Sequence, residues 1–409
     1  KSNIVRAVQS ANMRVSLDKR FTDDEIKEIA KCVEDRCKNE PHTLNTGDIQ
    51  VLVENEIMNR GKFDVAREYI TYRYQKALDQ KKNTTDSAIL ALLNNSNEEL
   101  KQENANKNPM IINVQRDYMA GEVSKDISQR YLIPEDIWNA HEAGILHFHD
   151  VDYFANSEYN CCLVNLGDML QNGTVVSGFG IDKPHRFSVA ATIASQIAQQ
   201  VSSSQYGGQT MYISDLSPFV EESRKSFRKR FIEMGFDEKS PEFDDMVEKM
   251  TVLDVEDGVQ TFMYQLNTMS GTNGQAPFIS LFMYLDDVPE GRERDDLALV
   301  CRKIFEQRIV GLKNPSGVYV APAFPKLLYV LDEDNIAEDS KYWDLTVLAA
   351  TCTSKRMVPD YISAKVMKEL KEGNVYGCMG CRSWLTPAYV DKKDNWKITT
   401  KKKGIPKFK

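Results

Sequence analysis

Two thiols stand three residues apart near the end of the chain, in NVYGCMGCRSWL at 374–385. Cys378 and Cys381 have the spacing of half a zinc site or of a redox dithiol. A structural zinc site needs a second pair of ligands, and the sequence holds no second C-x-x-C; Cys32 and Cys37 lie five apart in a distant region. A thioredoxin-type dithiol opens a helix after a strand, whereas Gly377 and Gly380 make a tightly turned or flexible loop. Such a loop can also project one thiol into a cavity, where it could carry a radical. The residues themselves leave these three chemistries open.

Other groups are suited to chemistry. Cys161 and Cys162 adjoin in YNCCLVNL, and on a strand neighbouring side chains face opposite ways, so only one of them can face a given pocket. The plain alternative is two small buried hydrophobes. HFHDVDYF reads as a strand with His147 and His149 on one face and Asp150 and Asp152 on the other. Two histidines without an evident third ligand suit hydrogen bonding in a polar pocket, or structure, better than a metal. SSSQYGGQT at 202–210 reads as a polar turn after a helix, where Gly207 and Gly208 let backbone approach a ligand closely. No stretch matches the phosphate loop G-x-x-x-x-G-K-[ST].

These groups need elements to hold them. Residues 1–80 read as a small helical unit: TDDEIKEIAKCVEDRC has Thr22 as N-cap and Ile26, Ile29, Ala30 and Val33 at helical spacing. A second helix has Thr46 as cap and Gly61 as stop, and DVAREYITYRYQKAL forms a third. The polar stretch 81–110 reads as a linker, with a surface loop as the alternative. Beyond it, RDYMAGEVSKDISQRYL and RFSVAATIASQIAQQVSSS are expected helices, while YNCCLVNL, APFISLFMYL and GVYVAPAF are expected strands. The class is mixed α and β, with a large sheet or barrel spanning 111–409.

The 409 residues carry 42% hydrophobic and 27% charged residues, the mix of a folded globular chain. A net charge of −8 argues against a sequence-independent grip on nucleic acid. No apolar run reaches the roughly 20 residues that span a bilayer, and no secretion signal is evident, so no membrane partner and a cytoplasmic location are expected. Eight scattered cysteines suit free thiols in a reducing compartment. Both ends look cut: the chain opens without Met inside a helical pattern and closes on TTKKKGIPKFK.

Nine segments in order resemble the anaerobic, class III ribonucleoside triphosphate reductases. They are NANKN at 104–108, QRDYMAGEV at 115–123, AHEAGILHFHDVDYF at 140–154, YNCCL at 159–163, SSSQYGGQT at 202–210, NGQAPF at 273–278, FPKLLY at 324–329, SKRMVPD at 354–360 and MGCRSWL at 379–385. KSNIVRAV and GDIQVLVENEIMNRGKFDVAREYITYRYQK resemble the helices of the ATP-cone that such proteins carry, without the cone's opening strands. The resemblance implies a ten-stranded α/β barrel of the glycyl radical enzyme type, incomplete here, preceded by a mainly helical cone.

By the same resemblance Cys381 carries a thiyl radical on a central loop, and Cys161 is the second active-site cysteine facing it, with Cys162 turned away. His147 or His149 lines the pocket, Ser383 lies beside the substrate, and Cys378 has no assigned role. The resemblance further implies ATP, dATP and other deoxynucleotides as effectors, the helix RFSVAATIASQIAQQVSSS carrying the specificity site at a dimer interface. Formate is implied as electron donor, with a redoxin protein in its place in another branch of the family, and a radical S-adenosylmethionine activase with a 4Fe-4S cluster as partner. The glycyl radical segment and a zinc site are expected in a C-terminal part outside this sequence, so the chain as given is not expected to turn over. Two alternatives stand beside this reading. A pyruvate formate-lyase-like acyltransferase would use the adjacent cysteines, but the cone-like start and the separate MGCRS loop speak against it; a non-catalytic nucleotide-binding fragment would suit the cut ends.

Overall fold

In the computed structural model the apolar positions spaced for helices at the start of the chain do form them. The structure describes all residues except 1, 40–45, 95–107, 109–110, 157, 272–273, 275, 381–382, 385–386, 391–397, 400–404 and 409. The chain divides into two units, 1–94 and 95–409.

Among its described residues the first unit has four α-helices: α1 (Ser2–Asn12), α2 (Asp23–Asn39), α3 (Thr46–Asn59) and α4 (Phe63–Leu93). Ile26, Ile29 and Val33 of α2 meet Val8, Val53, Ile57 and Val65 in one core, which follows from their shared face on each helix. Thr22 and Glu25 form a reciprocal capping box, with the Glu25 carboxylate accepting from the Thr22 amide at 2.7 Å. Gly61, at φ +76°, turns the chain between α3 and α4. Helix α4 runs on to Leu93, through the first part of the stretch whose polarity suggested a linker.

The second unit is built on five parallel strands. They are β1 (Cys162–Leu163), β2 (Gln209–Tyr212), β3 (Ile279–Met283), β4 (Lys326–Leu331) and β5 (Asp360–Ser363), paired side by side in chain order. Parallel neighbours need crossovers, and long helices supply them: α7 (Phe187–Ser202), α8 (Pro218–Glu233), α9 (Phe243–Thr268), α10 (Arg292–Val310) and α11 (Trp343–Arg356). Before β1 come α5 (Ile112–Ile127), which ends in a π turn over Ser128–Leu132, and α6 (Glu135–Glu142).

One face of the sheet buries Met211, Ile279, Leu281, Leu327 and Tyr329 against the helices. The other buries Phe282, Tyr284, Leu328 and Val330 with Ala364 and Cys378. Strand alternation assigns the two sets, and an open five-stranded parallel sheet with helices on one face is the α/β class expected, as an incomplete barrel. Among the described residues no helix is long and apolar enough to cross a membrane.

The expected strand at HFHDVDYF is not one. Residues 147–150 run without strand pairing into a 3-10 turn, Val151–Tyr153, because Asp150 takes the left-handed conformation at φ 53° and ψ 44°. Residue alternation therefore fails, and Asp150 comes to the same side as His149.

Asp215, in the turn that follows β2, is pushed up to about 6 by burial, which outweighs a hydrogen bond from the Gly167 amide. A carboxyl raised above its unfolded value stabilises the fold below that unfolded value and loses this contribution as pH rises through 6. Asp215→Asn is therefore expected to be more stable than the parent at pH 8, by about 2 kcal/mol, and to gain less at pH 5. Parallel urea-unfolding curves at the two pH values would refute the assignment.

Candidate active site

Cys161 directly precedes β1, and alternation separates it from its neighbour. Cys162 packs against the helix-side core, and burial pushes its thiol up to about 11. Cys161 belongs to the opposite face, in line with Leu163, which registers with Thr210 of β2 and through it with Ser280 and Lys326.

The segment before β2 lies alongside. The Tyr206 amide donates to the Tyr159 carbonyl at 3.2 Å, and the Cys162 amide to the Gly208 carbonyl at 3.1 Å. Gly207 is required there, since a Cβ at that position would sit 2.0 Å from the Asn160 carbonyl oxygen.

A loop from the far end of the chain rests on the same place. The Gly377 amide donates to the Tyr212 hydroxyl at 2.7 Å, and Cys378 is buried in the inner cluster, its thiol donating to the Gly380 carbonyl at 3.1 Å. The loop continues into an antiparallel pair in which Cys378 and Met379 face Trp384 and Ser383. Gly380, at φ +67°, approaches Cys161 so closely that a Cβ on it would lie 2.6 Å from the Cys161 sulfur; a Cβ on Gly208 would lie 3.0 Å from the Gly380 Cα. Two bare backbones thus bring residue 380 against the thiol. Cys381, the next residue in sequence, lies outside the described residues, as does the side chain of Ser383.

The histidines join this place through polar side chains. The Cys161 thiol donates to Asn160 Oδ1, while Asn160 Nδ2 donates to Asp150 Oδ2 at 3.1 Å and to the Tyr206 hydroxyl at 3.0 Å. Asp150 Oδ1 lies 3.2 Å from His149 Nε2, and His149 Nδ1 lies 3.0 Å from His147 Nε2. Tyr206 stacks on Tyr153 with centroids 3.9 Å apart and planes 6° apart. Both histidines therefore stand at the end of a relay that starts at Cys161. Sequence reasoning placed Asp150 on the face away from the histidines and did not single out Asn160 or Tyr206. Asn160 and Tyr206 sit in segments already singled out, and their polarity beside a cysteine and a glycine pair was the available signal. Among the described residues no group of three His, Cys, Asp or Glu side chains could hold a metal.

The fold is thus a parallel α/β sheet whose inner face receives a cysteine and a glycine-turned loop. Residues 103–404 match the family profile described as anaerobic ribonucleoside-triphosphate reductase, and residues 1–78 match the ATP cone domain. The chain is 33% identical over 347 residues to the anaerobic ribonucleoside-triphosphate reductase of Escherichia coli K12, covering 84% of this chain and 47% of that protein. It is 37% identical over 308 residues to that of bacteriophage T4, covering 74% and 49%. The Haemophilus influenzae protein of the same name is 33% identical over 396 residues, covering 95% and 53%. The chain belongs to the anaerobic ribonucleoside-triphosphate reductase family, with an ATP-cone at its start. It spans about half the length of the curated relatives it matches.

Proposed function

We propose that this chain is the cone and first barrel half of an enzyme that reduces ribonucleoside triphosphates to deoxyribonucleoside triphosphates. The observation that supports it best is the seating of Gly380 against Cys161, which brings the residue before Cys381 beside a second thiol. In this reading residues 1–80 are the regulatory cone, 81–110 a connection and 111–409 the start of the catalytic barrel.

A glycyl radical residue outside this sequence, as in the family, supplies the means of removing a hydrogen atom from a thiol. The glycines at 208 and 380 suit that use, because they leave no side chain between the loop and Cys161. Cys381, once its own hydrogen has been removed, takes the 3′ hydrogen of the ribose and returns it to the same carbon after the 2′ carbon has been reduced. Cys161, across the substrate, donates a proton to the 2′ hydroxyl as it leaves as water. His147 and His149 line the pocket and Ser383 contacts the substrate. Formate supplies the two electrons, leaving as carbon dioxide.

The parent protein is read as a cytoplasmic homodimer or higher oligomer, activated by a radical S-adenosylmethionine enzyme with a 4Fe-4S cluster. Zinc belongs to the C-terminal part. ATP and dATP act at the cone, and deoxynucleotides act at a second site on α7.

The test is deoxynucleotide formation by full-length, radical-loaded protein carrying Cys381→Ser or Cys161→Ser. Each is expected to abolish product, with the fold retained by circular dichroism. Product formation at the parent rate in either variant would remove that cysteine from the mechanism.

A further inference from the structure

Asp150 is a non-glycine residue in the left-handed region, at φ 53°. That conformation costs most residues about 1–2 kcal/mol, and Asp and Asn adopt it most readily because their short polar side chains bond locally. Here the side chain bonds on both oxygens, with Asn160 Nδ2 on Oδ2 and His149 Nε2 at Oδ1. The same turn supplies Tyr153, whose ring backs Tyr206, the other acceptor of Asn160 Nδ2. Residues 150–153 thus grip the Asn160 amide from two sides.

The grip fixes a direction. Both hydrogens of Nδ2 are engaged, so the carbonyl oxygen is the atom left for Cys161, and the thiol must donate to it. A hydrogen bond from S–H to oxygen favours the thiol, whereas one from N–H to sulfur would favour the thiolate. The amide cannot turn its nitrogen to the sulfur without leaving Asp150 and Tyr206. His149, with Nε2 donating to Asp150, has Nδ1 as acceptor for His147 Nε2, so the histidine pair follows the same carboxylate.

We propose that Asp150 is a positioning residue for Cys161, holding the Asn160 amide so that Cys161 stays a protonated hydrogen donor. This rests on the reading of Cys161 as an active-site thiol. Among the described residues, Tyr206 before β2 and Cys162 on its own strand act on that thiol directly, and Asp150, with His149 behind it, acts through Asn160.

The experiment is alkylation of the 409-residue chain by iodoacetamide, with Cys161 and Cys162 read separately by peptide mass spectrometry between pH 6 and 9. Asp150→Asn keeps the left-handed turn but offers one acceptor oxygen to two donors. It also removes a negative charge, and both changes favour the thiolate. Cys161 is expected to react about fivefold faster at pH 7 in this variant, while Cys162 is unchanged. Tyr206→Phe keeps the ring stack, removes the other acceptor and gives a smaller rise in the same direction. Asn160→Ala also raises the rate, and adding Asp150→Asn to it is expected to add only the smaller part that comes from the lost charge, because the carboxylate acts chiefly through the amide.

An unchanged Cys161 rate in Asp150→Asn, or a full Asp150→Asn effect in the Asn160→Ala background, would overturn the proposal. The assay needs no turnover, so it separates the two readings. If Cys161→Ser abolishes reduction while Asp150→Asn leaves alkylation unchanged, only the positioning role falls. If reduction survives Cys161→Ser while the alkylation result holds, only the catalytic role falls.

Discussion

Replacing Gly380 with alanine is expected to lower deoxynucleotide formation by full-length, radical-loaded protein about a hundredfold, the size of effect that an ångström of misplacement produces. The added Cβ would lie 2.6 Å from the Cys161 sulfur and 3.2 Å from its Cβ. The obstacle is a side chain, so the fold has a way out: Cys161 rotates away from Asn160, or the loop lifts. Either response separates the loop from the thiol. Holding alanine at φ +67° adds about 1–2 kcal/mol of destabilisation, which urea unfolding of the chain would show as a modest shift. Activity within threefold of the parent, with that shift present, would mean that contact between residue 380 and Cys161 does not matter to the reaction.

The same contact shows what the sequence could and could not convey. The alternation that divides Cys161 from Cys162 was legible, because it needs only the strand period, and Cys162 does pack into the helix-side core. The helices were legible for the same reason, as with Ile26, Ile29 and Val33 of α2. Strand β2 was not. Gln209 and Thr210 are fully buried polar residues, so QTMY carries no apolar alternation and reads as the tail of a turn. Gln209 can stand there because its side-chain amide donates to the Ala198 carbonyl at 2.8 Å and to the Ser202 hydroxyl at 3.1 Å, both on α7. That compensation is tertiary and leaves no local trace.

The turn at Asp150 was hidden in a related way. Its sequence alternates apolar and polar residues like an edge strand, and one residue at positive φ reverses the side that the following groups face. The relay from Cys161 to His147 depends on that reversal, so from the strand period alone Asp150 reads as facing away from the histidines it meets.

Gly207→Ala should act on the fold itself, and the contrast with Gly380 decides why. A Cβ at 207 would lie 2.0 Å from the Asn160 carbonyl oxygen and 2.8 Å from its carbonyl carbon. Here backbone meets backbone, and no rotamer relieves it. The segments at 159–162 and 205–208 must separate, which breaks the bonds from the Tyr206 amide to Tyr159 and from the Cys162 amide to Gly208. Losing two backbone bonds and the packing around them is expected to cost about 3 kcal/mol or more, read as a lower urea midpoint with unchanged slope. It also detaches Tyr206 from Asn160, so the Cys161 thiol should react faster with iodoacetamide even in the fraction that remains folded. A variant as stable as the parent would show that the two segments have room to part, and that the close approach of 207 to Asn160 does not set the position of Cys161.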